Sequence, residues 1–187
     1  MKKFLKIFIA AAGLVLFFNA NSFAKTDLAV WGGYIFAGNI KFYDVDEDFT
    51  GTQCGFKGHY YLELSQSVSL GLGPFFQKAM IKSENISGFN PTRDSMGADV
   101  NLLFSIASTP GFSPYVRAAY SFYDKFKYEG ISENIPGYSL GIGGGAEFAI
   151  SPTIRLFWEF MCETPNLKKS EDTDVVNTVF NMGFKFM

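Results

Sequence analysis

Residues 95–106 read Ser95-Met96-Gly97-Ala98-Asp99-Val100-Asn101-Leu102-Leu103-Phe104-Ser105-Ile106. Met96, Ala98, Val100, Leu102, Phe104 and Ile106 form one alternate set, and all are apolar. Ser95, Gly97, Asp99, Asn101, Leu103 and Ser105 form the other, in which Leu103 is the one large apolar side chain. Successive side chains of a strand point to opposite faces. The stretch therefore predicts a strand with one apolar face and one polar or small face.

The pattern recurs along the chain. Cys54, Phe56, Gly58, Tyr60, Leu62 and Leu64 alternate with Gly55, Lys57, His59, Tyr61 and Glu63. Residues 116–122, 154–162 and 176–186 alternate in the same way, the last around Phe180, Met182, Phe184 and Phe186. Residues 27–37 and 68–77 are weaker, and the Gly-rich residues 138–150 complete a set of eight strand candidates. No convincing helix pattern lies between them, so the expected class is all-β. The connections alternate in length. Short ones are expected at 65–67, 108–111 and 151–153, and long polar ones at about 38–52, 82–94, 124–136 and 164–174. Short turns on one side and longer loops on the other are the signature of a transmembrane barrel.

A secreted β-sandwich would also alternate, with its apolar face against a second sheet. The terminal strand favours the barrel. It stays apolar at alternate positions through Phe184 and Phe186, just before Met187. Such an edge invites aggregation unless it is paired, and a barrel pairs it with the first strand. The expected fold is thus an eight-stranded antiparallel up-and-down transmembrane β-barrel.

The first 24 residues read as a secretory signal. Lys2, Lys3 and Lys6 precede the uncharged run Ile7–Phe18, and Ser22-Phe23-Ala24 suits cleavage after Ala24. The remaining residues, 25–187, suffice for one barrel domain. Without the three signal lysines, 13 Lys+Arg stand against 18 Asp+Glu, a formal charge of −5. An acidic domain is not expected to bind nucleic acid.

Gly141-Ile142-Gly143-Gly144-Gly145-Ala146 matches the dinucleotide pattern G-x-G-x-x-G/A. That fingerprint must follow a strand and open a helix, but a turn and another strand follow here. On one face of a strand, the glycines leave room for bulky partners in a filled lumen. A turn at Ile150-Ser151-Pro152 would set Glu147 opposite Arg155, Gly145 opposite Phe157, Gly143 opposite Glu159 and Gly141 opposite Met161.

With these features in order, the chain resembles the small bacterial outer-membrane β-barrels: the OmpA transmembrane domain, OmpX and opacity-protein group. The signal segment, Trp31-Gly32-Gly33-Tyr34, the Gly-rich sixth strand and the aromatic last strand carry the resemblance. It implies an outer-membrane protein with a structural or adhesion-like role through four outer loops. A narrow porin-like barrel or a lipid-modifying enzyme are the alternatives. The implied partners are outer-membrane lipid and an extracellular ligand, with the chain a monomer.

Candidate chemistry is sparse. The single His59 shares a face with Glu63, roughly 13 Å along the strand at about 3.3 Å per residue, and no nucleophilic Ser accompanies it. No catalytic residue, metal ligand or cofactor is assigned. Cys54 and Cys162 fall on strands too far apart in an eight-stranded ring to bridge, so two free thiols are expected. The acidic run Asp44-Val45-Asp46-Glu47-Asp48 lacks the Gly and Glu spacing of an EF-hand loop. The polar face carries Glu63, Asp99, Arg117, Glu147, Arg155 and Glu159, expected to pair inside the barrel as a structural network.

Overall fold

The computed structural model describes residues 25–42, 45–83, 90–128, 131–167 and 174–187, and the expected signal, residues 1–24, and Asp44 lie outside them. Eight strands follow in order: β1 (Lys25–Phe42), β2 (Val45–Glu63), β3 (Val68–Ser83), β4 (Thr92–Phe104), β5 (Phe112–Tyr128), β6 (Ile131–Ala149), β7 (Ile154–Leu167) and β8 (Asp174–Phe186). Each pairs antiparallel with its neighbours, and β8 returns to β1, closing the barrel. The described residues contain no helix.

The registers define how the barrel is sheared. A row that starts at Ile35 passes through Val179, Met161, Gly143, Arg117, Asn101, Gly71 and Tyr61. It returns to β1 at Lys25, ten residues below its start. Strand tilt and stagger are linked in this way whenever a sheet closes.

Residues 95–106 behave as their alternation requires. Ser95, Gly97, Asp99 and Asn101 are buried, whereas Ala98, Val100 and Phe104 face outward and are exposed. The same inversion runs round the barrel. Among the described residues, more of the buried side chains are polar or charged than apolar. The exterior is apolar, with Leu140 55% exposed, Ile142 69% and Phe184 46%. An apolar belt of this extent is not left in water. It suits lipid, and it excludes the sandwich, whose apolar face would be inside.

The turns at 64–67, 105–111 and 150–153 stand at one end of the barrel. Gly111 occupies its turn with φ at +92°, where a side chain would be strained. At the other end the structure departs from the sequence expectation. The segments expected as long loops are largely strand: β1 runs on to Phe42, β2 begins at Val45, and β5 and β6 run to Tyr128 and from Ile131. Beyond the lipid belt both faces of a strand meet polar surroundings. The alternation that marks a strand in sequence is lost there, while the backbone ladder continues.

The register of β6 against β7 also differs from expectation by two residues. Five residues, Ile150 to Ile154, lie between the last paired residues, Ala149 and Arg155, and the turn is closed by the Ile150 and Ser151 N–H groups donating to the Ile154 carbonyl. Glu147 therefore faces Phe157, Gly145 faces Glu159, Gly143 faces Met161 and Gly141 faces Glu163. The steric logic of the glycines survives the shift. A Cβ at Gly143 would collide with the Phe160 carbonyl and the Met161 sulfur. Gly55 and Gly183 likewise make room for the buried Trp31.

Ile142 sits midway along the outward row of β6. Ile142→Lys should destabilise the refolded protein by about 2–4 kcal/mol in lipid vesicles, because a cation then faces the bilayer midplane. Denaturant titration of both proteins measures the difference. A variant as stable as the parent would contradict lipid exposure of this face.

Candidate functional site

Among the described residues, the lumen is where the fold gathers most of its buried ionisable side chains. Closure turns the polar face of every strand inward. In a barrel of eight strands the interior is only wide enough to be filled by side chains. Charges gathered there must compensate one another or pay a large desolvation cost.

Glu159 on β7 is the hub, with none of its side chain exposed. Its carboxylate accepts hydrogen bonds from Lys57 Nζ at 2.9 Å, Arg117 Nη1 at 2.7 Å, Tyr115 Oη at 2.9 Å and Asn181 Nδ2 at 3.1 Å. Arg117 also reaches Asp99 through Nε at 2.6 Å. The planar guanidinium thus bridges two carboxylates from β4 and β7, which a lysine could not do with the same geometry. Lys57 lies 4.6 Å from the centre of the Phe157 ring, a cation–π contact.

His59 extends the chain downward. Nε2 lies 2.8 Å from Asp99 Oδ1, and Nδ1 lies 3.0 Å from Asp27 Oδ1. Asn101 Nδ2 also lies 2.8 Å from Nε2. Asp27 also meets Lys185 Nζ at 3.0 Å. Lys185 bonds Glu147 and, at 2.9 Å, the Tyr61 hydroxyl. Arg155 ends the series, 3.6 Å from Glu147 and bonded to Ser113 Oγ at 3.2 Å. A second cluster lies towards the other mouth. Arg93 donates to Asp124 through Nε and Nη2 and to Glu163 through Nη1 at 2.5 Å.

These distances sort the residues singled out from sequence. Asp99, Arg117 and Glu159 form one connected group, and Glu147 and Arg155 form an ion pair. The pair is diagonal, because Arg155 stands directly opposite Ala149. Glu63 is not in the network. It sits at the turn end of β2, its side chain 53% exposed, and pairs with Lys25 at 3.1 Å. Position alone explains this: the last inward residue of a strand reaches bulk water at the mouth.

The sequence reading missed Asp27, Arg93, Asp124 and Glu163. The parity of Asp99 does reach Arg93 in steps of two, so that residue was accessible. Asp124 was not, because a bulge between Met96/Gly97 and their β5 partners shifts the parity of β5. From Val45 on, the acidic run is strand β2, and Asp44 lies outside the described residues. Alternation buries Glu47, bonded by Ser83 Oγ, and exposes Asp48, which accepts from Asn39 at 3.0 Å. The two carboxylates face opposite ways and do not converge on a cation. Cys54 and Cys162 are free thiols on the exposed exterior.

The remaining space is small. A cavity of about 10 Å³ between Phe75, Arg117 and Glu163 is at the limit for one water. A cleft of about 80 Å³ opens at the turn end, beside Lys25, Glu63 and Arg155.

Glu159→Ala would strand Arg117 and Lys57 beside each other without their shared anion. The expected loss is about 3–5 kcal/mol, the cost of breaking a buried ion pair from one side. Glu63→Ala should stay within about 1 kcal/mol of the parent, as exposed pairs do. Unfolding titrations of the two variants provide the comparison.

Comparison with known proteins agrees with this architecture. The family model described as outer membrane protein beta-barrel domain matches residues 10–187. Neisserial surface protein A is similar in structure, with TM-score 0.61 and 11% identity, over 88% of this chain and 99% of that one. The outer membrane enzyme PagL is similar with TM-score 0.54 and 11% identity, over 86% of this chain and 99% of that one. The Ail protein of Yersinia pestis aligns at TM-score 0.46 and 18% identity, over 87% of this chain and 99% of that one. No curated protein matches the sequence significantly. Identities this low speak for the fold alone; the family match extends over nearly the whole sequence, and the chain belongs to the outer membrane protein beta-barrel domain family.

Proposed function

We propose that this protein acts at the bacterial surface, as a structural or adhesion-like barrel with a closed lumen. The observation that carries this reading is the chain of contacts across the interior, from Arg155 and Glu147 through Lys185, Asp27, His59, Asp99 and Arg117 to Glu159. Among the described residues, the voids beside this chain of contacts are the small ones described above. Large solutes have no route through.

The outer end supports a surface role. Short turns face the periplasm in barrels of this class, so the opposite end faces outward. There β1 and β2, of 18 and 19 residues, and β5 and β6, of 17 and 19, are well above the length needed to cross. A tilted strand spans the bilayer with about 9–11 residues. Two hairpins on opposite sides of the ring therefore project past the lipid. They replace long loops as the surface offered to an extracellular ligand. The closed ring leaves no unpaired edge for a second copy, which suits a monomer.

Planar-bilayer recording tests the closed lumen. Refolded protein is expected to give no reproducible single-channel step, and such a step would move the reading to a permeation barrel. Hydrolysis of outer-membrane lipid by the same protein, abolished by His59→Ala, would move it to an enzyme. Residues 1–24 act in this reading as a removable export signal. N-terminal sequencing of the membrane-extracted protein should then begin at Lys25, and a start at Met1 would contradict cleavage.

A further inference from the structure

The lipid-facing wall is not uniform. On β3, β4 and β5 the outward residues Phe76, Met96 and Tyr123 form one cross-strand row. Directly above it lies the row Lys78, Asp94 and Lys125. Lys127 stands one outward position higher on β5, and Lys82 two positions higher than Lys78 on β3. Lys78, Lys82 and Lys127 are exposed and Lys125 is half-buried.

Lys78 and Lys125 flank Asp94 on the neighbouring strands, Lys127 reaches it from above, and Lys82 stands further up β3. Asp94 is paired with Lys127 at 2.5 Å. Among the described residues, Lys78, Lys82 and Lys125 form no ion pair. Among the described side chains, the same end of the remaining wall turns Tyr138, Cys162, Thr164, Thr178, Asn39 and the acidic Asp48 outward, and no exposed lysine or arginine. Among these described side chains the exposed cations are thus confined to β3 and β5, just above the row of Phe76, Met96 and Tyr123 and interleaved with the outward Met80. A lysine on the lipid face is tolerated close to the interface, where its stem lies along the apolar surface and its ammonium reaches the headgroups. Uncompensated there, it attracts anionic headgroups.

We propose that this wall of β3–β5 binds the phosphate groups of anionic lipid headgroups in the outer leaflet, through Lys78, Lys82, Lys125 and Lys127. Adjacent strands lie about 5 Å apart, so Lys78 and Lys125 stand about 10 Å apart on either side of Asp94. Flexible lysine stems from both sides can converge on one phosphorylated headgroup, or hold two phosphates of the same lipid. The assignment rests on the proposed outward orientation of this end. It does not depend on whether the lumen is closed.

The test uses the full chain refolded in phosphatidylcholine nanodiscs doped with bisphosphorylated lipid A or with its dephosphorylated form. Native mass spectrometry counts the lipid retained on the protein. The bisphosphorylated lipid should be retained preferentially. Lys78→Gln and Lys125→Gln should each weaken retention by about fivefold, while Lys25→Gln, at the other end, should change nothing. Heat-modifiable gel mobility shows that each variant has folded. Equal retention of the two lipids would overturn the proposal, as would an equal effect of Lys25→Gln. Displacement of the lipid by millimolar inorganic phosphate would assign the site to free phosphate and overturn its lipid identity. A conductance step would sink the closed-lumen reading and leave the retention ratio untouched, so the two failures are distinct.

Discussion

A bilayer core holds no water to receive a backbone N–H or C=O, so every such group must find its partner within the chain. In this protein the requirement is met at one seam. β1 pairs with β8 from Leu28↔Phe186 up to Lys41↔Asp174. Without that ladder both terminal strands would be bare edges in hydrocarbon. The rest of the structure depends on it. Closure makes an inside and an outside, and it sends each strand's two faces to opposite solvents.

Closure also limits the interior volume. The ten-residue stagger from Ile35 to Lys25 and the small strand number leave a lumen that side chains fill. Glycines and bulky residues then share the space, as Gly143 does with Met161 and Gly55 with Trp31. The charged residues have no water to fall back on and compensate one another. Such buried pairs contribute little net stability over a well-packed apolar core. What they supply here is register. A one-residue slip of β7 would carry Glu159 into lipid and Phe160 into the lumen, and would leave Arg117 and Lys57 without their anion.

Much of this could be read from alternation. Asp99, Arg117, Glu147 and Glu159 were assigned to the lumenal face because their neighbours at odd spacing were apolar. That signal exists only where one face meets lipid. Above the belt it fades, which is why Arg93 and Asp124 were placed in loops although they form a buried ion pair. Bulges hide residues in another way, since the one on β5 breaks the count of two just before Asp124. Glu63 shows the opposite error. Its parity is inward, but its place at the mouth of the barrel leaves it in water.

The sequence by itself determined the class of fold, the strand number and the faces of the strands that alternate strongly, as 95–104 and 154–162 do. Those follow from a local rule, the period of two along a strand against an apolar solvent. Only the tertiary structure decided which residues meet. Glu159 lies 102 residues from Lys57 and 42 from Arg117, and their contact depends on shear and on turn length. Ala149 pairs with Arg155 instead of Thr153, so two extra residues between them moved every partner of β6 on β7 by two positions. The four outward lysines of β3 and β5 are likewise unremarkable in sequence. They become a single surface once the barrel sets their strands on either side of β4, above the row of Phe76, Met96 and Tyr123.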